Sequence, residues 1–175
     1  MNDNPLLDFS GLPRFADIRP EHVAPAITEL LAQANAALEQ VSAAETPAEW
    51  DQVVVPLDDA SERLGRAWGV ISHLNAVADT AELRAAYNEM QPAVTEFGTR
   101  VGQSLALFGK YKALAAAKDF DQLPQARKTI IEHALRDFRL GGAELNDADK
   151  ARFAEIQEKQ AGSAIRFSEN VLDAT

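Results

Sequence analysis

Residues 57–78 read LDDASERLGRAWGVISHLNAVA, and Leu57, Ala60, Leu64, Trp68, Ile71, Leu74 and Ala78 recur in them at steps of three and four. A helix turns once every 3.6 residues, so this spacing gathers all seven side chains on one stripe. Such a stripe is the mark of a helix with one face laid against neighbours.

The same period extends in both directions. Upstream, Pro20-Glu21 opens a helix, with proline in the first turn and an acid at the positive end of the dipole. Its stripe is Val23, Ile27, Leu30, Leu31, Ala34, Leu38 and Val41, and Pro25 lies near enough to the start to be tolerated. Thr46-Pro47-Ala48-Glu49 predicts the next start, with Thr46 as cap, Pro47 at the first helical position and Glu49 closing a capping box. Pro56 lacks an amide donor and is expected to kink or restart that helix.

Downstream, Asp79 or Thr80 caps a helix carrying Leu83, Tyr87, Met90, Val94, Phe97, Val101, Leu105 and Phe108 on one face, bent but not broken at Pro92. Pro124 opens another, with Ile130, Ile131, Ala134, Leu135 and Phe138 apolar, and Gly141-Gly142 stops it through the left-handed conformation. Asn146 caps a last helix with Phe153, Ile156, Gln160, Ala164, Phe167 and Val171 on its face. No stretch alternates with period two. The fold class expected is all-α: an antiparallel bundle of about five or six helices over residues 20–175, preceded by an extended arm at residues 1–19. Leu6-Leu7, Leu12-Pro13 and Phe15 are the expected anchors of that arm.

The last helix has a start but neither a glycine nor a basic last turn, so the chain reads as cut within an element. Phe153, Ile156 and Phe167 are expected to face the bundle, while Ile165 and Leu172, seven residues apart, point elsewhere. That second patch predicts weak self-association of the segment.

Composition narrows the function classes. A chain of 175 residues buries roughly 70% of its unfolded surface, enough for a core without disulfides or metals. The formal charge of −10, with basic residues scattered, argues against nucleic acid or anionic membranes as partners. Absence of cysteine removes disulfides, thiolate catalysis and Cys-type zinc sites. Met1-Asn2-Asp3-Asn4-Pro5 is no signal peptide, and no apolar run approaches the roughly 20 residues that span a bilayer. A reducing cytoplasm is the compartment these features suit.

No catalytic or metal-binding constellation emerges. His22, His73 and His133 are more than fifty residues apart, and none belongs to the H-E-x-x-H spacing that sets two imidazoles on one helical face. The acids Asp59, Glu62, Glu132 and Glu155 precede Arg63, Arg66, Arg136 and Lys159 by four residues, the order of a solvated, ion-paired helix face. Asp147 and Asp149 lack the rest of a calcium loop and serve as first-turn acids. Ser72 and His73 are neighbours on a helix and point about a hundred degrees apart. Gly65, Gly69, Gly98 and Gly102 do not form a phosphate loop and are read as points of close helix approach. Catalytic residues and metal ligands are therefore assigned to none, and substrate-binding residues are left unassigned.

A set of longer matches goes further. Asn4-Pro5-Leu6-Leu7, Leu12-Pro13-Arg14-Phe15, Pro20-Glu21-His22-Val23-Ala24-Pro25-Ala26 and Ser72-His73-Leu74-Asn75-Ala76-Val77 run in order along the chain. Ala134-Leu135-Arg136-Asp137-Phe138, Leu140, Gly142 and the ending Asn170-Val171-Leu172-Asp173-Ala174-Thr175 complete them. In order and spacing the chain resembles the start of the thimet oligopeptidase (M3) family of zinc peptidases. The resemblance implies two mainly helical halves facing across a channel, with zinc, its H-E-x-x-H ligands and the catalytic groups in the later part of the parent enzyme. This segment would be a non-catalytic stretch of channel wall, with no cofactor of its own. Its partners would be the remainder of the peptidase and, for the whole enzyme, short peptides as substrates. The competing reading is a freestanding helical interaction module.

Overall fold

Among the described residues the helical period is realised as six α-helices. The structure, a computed structural model, describes residues 4–174. Met1, Asn2, Asp3 and Thr175, used above for the N-terminus and the closing match, lie outside those residues. Among the described residues the elements are α1 (Pro20–Ser42), α2 (Trp50–Val77), α3 (Ala81–Gln103), α4 (Leu105–Ala115), α5 (Gln125–Leu140) and α6 (Asp147–Ala174). Short 3-10 turns at Pro5–Leu7, Phe15–Asp17 and Phe120–Gln122 punctuate the connections, and no strand is formed among these residues. The chain is all-α, as its periodicity predicts.

Helix α1 occupies the centre, packing on α2, α3 and α4. Its expected stripe is buried in full, with Val23, Ile27, Ala34 and Val41 out of solvent altogether. α5 packs on α4, and α6 lies on α3. The α4–α5 contact is aromatic: Phe138 meets Phe108 at 5.4 Å and Tyr111 at 5.5 Å between ring centroids. Burial pushes the Tyr111 hydroxyl above its ordinary pKa, and nearby Asp58 adds to the effect.

Four local expectations are revised. Thr46 does not cap α2, which begins at Trp50 behind Glu49; its hydroxyl donates to the Gln40 carbonyl at 2.6 Å and ties off the end of α1. Pro56 does not restart α2, which is one helix of 28 residues. Val53, Val54 and Leu57 are all buried around it, and their packing outweighs the ~3 kcal/mol that an interior proline costs. The stripe from Leu83 to Phe108 is not one helix, because Ser104 is extended and its hydroxyl accepts the Leu107 N–H at 3.2 Å, starting α4 afresh. The new direction buries Leu107 and Phe108 and leaves Leu105 58% exposed.

The fourth revision concerns the first segment. Leu6 is buried as expected, fixed by Asn4, which accepts the Leu6 N–H and donates to the His22 carbonyl at 2.8 Å. Leu12 is 90% exposed and anchors nothing. Phe9 takes its place under the guanidinium groups of Arg63 and Arg66, 4.9 and 5.8 Å from the ring centroid. Arg66 also donates to the Gly11 carbonyl, and Phe15 meets His73 edge-on at 5.6 Å.

Candidate functional site

The last helix defines the most open surface of the domain. It starts as its sequence predicts, Asn146 accepting the Asp149 N–H at 3.0 Å, and it runs for 28 residues without burying one. α6 is antiparallel to α3 and hooked to it at intervals. Gln103 donates to the Lys150 carbonyl at 3.3 Å, and Lys150 returns a bond to the Gln103 carbonyl at 3.4 Å. Asn88 donates to Glu169 at 2.8 Å. At the far end Arg84 grips Asp173 with two bonds, at 2.8 and 3.2 Å, while also holding Asp79 on the α2–α3 connection.

These hooks set the rotation of α6, and it is not the expected one. Ile165 and Leu172 are half-buried on the bundle side, whereas Ile156 is 48% and Phe167 71% exposed. Phe153 alone of the three expected inward residues is half-buried. The apolar pattern favoured the larger side chains. The polar bonds at residues 150, 169 and 173 instead select the seam through Ala154, Ala161, Ile165 and Leu172, whose alanines let α6 come close to α3.

Between α2 and α6, above α3, this rotation leaves a cleft of about 390 Å³. Ala76, Tyr87, Ala164, Phe167 and Val171 make it mostly apolar. Tyr87 is held by stacking on Trp68 at 4.6 Å with the rings 11° apart. The Ser72 hydroxyl donates back to the Trp68 carbonyl at 2.8 Å, while the Asn75 side-chain oxygen is buried with no hydrogen-bond partner. A second cleft of about 450 Å³ lies between α3 and the start of α6, edged by Glu96, Arg100, Glu155 and Glu158.

Residues singled out for chemistry are scattered. His22 accepts the Arg19 N–H at 3.1 Å through Nδ1, His73 packs on Phe15, and His133 is exposed on α5. Among the described residues no three His, Asp or Glu side chains group as metal ligands. Asp147 and Asp149 sit in the first turn of α6. The four expected acid-first pairs are not the ones formed: Arg63 and Arg66 face Phe9, Arg136 pairs with Asp137 at 2.8 Å, and Glu155 pairs with Arg152 at 3.0 Å. Exposed pairs of this sort are worth so little that packing and local geometry choose between them. Of the glycines, Gly102 meets the backbone of Gly141 closely, whereas Gly65, Gly69 and Gly98 face open space.

The Arg84 clamp makes α6 sensitive to acid. Its hydrogen bonds hold the Asp173 carboxyl below the usual carboxylate range, and Asp173 followed by Asp79 raises the guanidinium. A depressed carboxylate contributes stability above its unfolded pKa and loses it as pH falls through the folded one. Amide exchange in the last turns of α6, corrected for intrinsic rates, is therefore expected to be up to about fivefold faster in acid, below the ordinary carboxylate range, than near neutrality. Arg84→Gln should give the faster exchange at both pH values. Unchanged exchange in that variant would show the clamp to be ornamental.

The fold and the cleft define an all-α bundle domain with an open apolar seam along its last helix. Comparison with known proteins places it. The family model described as the neurolysin/thimet oligopeptidase N-terminal domain matches residues 27–150, and the chain belongs to that family. It is 40% identical over 172 residues to oligopeptidase A of Haemophilus influenzae and 41% identical over 172 residues to that of Salmonella typhimurium, covering 98% of this chain each time. It is 39% identical over its full 175 residues to an Arabidopsis thaliana protein named probable cytosolic oligopeptidase A. The chain spans about 25% of the length of each of these relatives. No helix among the described residues is long and apolar enough to cross a membrane.

Proposed function

We propose that these 175 residues are the N-terminal, non-catalytic part of a zinc-dependent oligopeptidase that hydrolyses short peptides in the cytoplasm. Residues 1–19 serve as an arm laid on the domain, and residues 20–175 as a length of channel wall. The observation that carries this is the colinear match of 98% of the chain to only 25% of an oligopeptidase A. The partner of the domain is the remainder of that polypeptide, and the short peptides and the zinc belong to the whole enzyme. Nucleic acid and membrane are not partners. The weak self-association expected of the isolated chain loses its basis, because Ile165 and Leu172 are half-buried on the bundle side.

Reading the gene past codon 175 tests the proposal. The frame is expected to continue into a His-Glu-x-x-His segment, and its full product to cleave short quenched-fluorescent peptides until a chelator is added. The 175-residue chain, freed of host peptidases, should cleave none. A stop codon after Thr175 would favour the freestanding interaction module instead. Chelator-sensitive cleavage by the segment alone would overturn its non-catalytic role.

A further inference from the structure

We propose that the cleft between α2 and α6 is the socket for an apolar segment of the parent polypeptide beyond residue 175. The inference rests on the reading of the chain as part of an oligopeptidase and names the surface through which the parts join.

Two features of the cleft converge. Phe167 stands on its rim at 71% exposure, and covering such a side chain is favourable in proportion to the apolar area removed from water. The walls are already in place, Tyr87 being stacked on Trp68 and the end of α6 being held by Arg84 and Asn88. An apolar occupant covers Phe167, and a preformed cleft spares it the entropy of ordering the walls.

The occupant is better supplied by the parent than by a second copy. The relatives are about four times the length of this chain, and a covalently attached partner acts at a high effective concentration without a bimolecular cost. A second copy brings another net charge of −10 to the contact.

Hydroxyl-radical footprinting of the 175-residue chain and of the full-length product, both at low micromolar concentration, tests this. Phe167 is expected to be modified at least tenfold more slowly in the full-length protein, while Ile156, exposed on the same helix but outside the cleft, changes far less. Phe167→Asp should lower the melting temperature of the full-length protein and leave that of the short chain unchanged. Equal modification of Phe167 in both proteins, or no loss of melting temperature in full-length Phe167→Asp, would overturn the socket. So would protection in the short chain that grows with concentration, which would assign the cleft to a second copy. Peptide cleavage measured on the same full-length sample separates the failures: if it persists, the oligopeptidase reading stands and only the socket falls.

Discussion

Phe108→Ala is expected to destabilise the domain by about 3–5 kcal/mol, whereas Phe167→Ala should change its stability by less than about 0.5 kcal/mol. Both residues are phenylalanines on helices, and the difference lies in what surrounds them. Phe108 is fully buried, with Phe138 against one side and the Lys112 ammonium 4.3 Å from its ring centroid. It sits where α4, turned at Ser104, meets α5, so its removal opens a cavity between the two helices. Phe167 is 71% exposed, and its loss from this chain opens nothing. At roughly 2–4 °C per kcal/mol for a chain of this size, Phe108→Ala should lower the midpoint of a far-UV circular dichroism melt by about 6–20 °C. Equal shifts for the two variants would mean that α4 is not packed as described.

The contrast also marks how far the sequence could be read. The all-α class, the buried face of α1 and the Gly141-Gly142 stop were legible because each rests on local physics: a period of 3.6, a capping side chain, a left-handed residue. The stop is realised in detail. Gly142 has φ +86°, the Ala143 N–H reaches the Phe138 carbonyl at 2.9 Å, and the Gly142 N–H reaches Arg139 at 3.2 Å. What could not be read was the choice among faces of comparable polarity. On α6 both the Phe153–Ile156–Phe167 side and the Ile165–Leu172 side are apolar, and bonds to residues 81 and 89 positions away in the chain decide between them. The break at Ser104 had a signal, since serine is a favoured cap, but an apolar run continuing on both sides concealed it. For the candidate cleft the sequence offered less still. Asn75 lay within a matched segment, yet nothing local says that its oxygen is buried without a partner.

The glycines provide a sharper test of the same distinction, because the sequence assigned one role to four of them and the structure divides them. Gly141→Ala is expected to cost about 1–3 kcal/mol, the usual range for forcing atoms into a packed contact. The Gly141 backbone has φ −74°, which any residue adopts, so the effect is steric. A Cβ there would lie 3.2 Å from the Gly102 carbonyl oxygen, 3.3 Å from the Gly102 Cα and 3.1 Å from the Asp137 carbonyl oxygen. All three are backbone atoms: relief from the two Gly102 atoms requires that the ends of α3 and α5 move apart, while the Asp137 carbonyl belongs to α5 itself. Gly142→Ala should cost about 1–2 kcal/mol for a different reason, the left-handed backbone, with the Leu145 side chain, 2.8 Å from the added carbon, forced to swing aside. Gly65→Ala and Gly98→Ala have helical backbone and nothing within 4 Å, so each should stabilise by about 0.5–1 kcal/mol through helix propensity alone. Urea melts of the four variants measure the differences directly, with unchanged m-values required for the comparison. Destabilisation by Gly65→Ala would place an unrecognised close contact on α2, and a neutral Gly141→Ala would mean that α3 and α5 do not cross as closely as Gly102 and Gly141 allow.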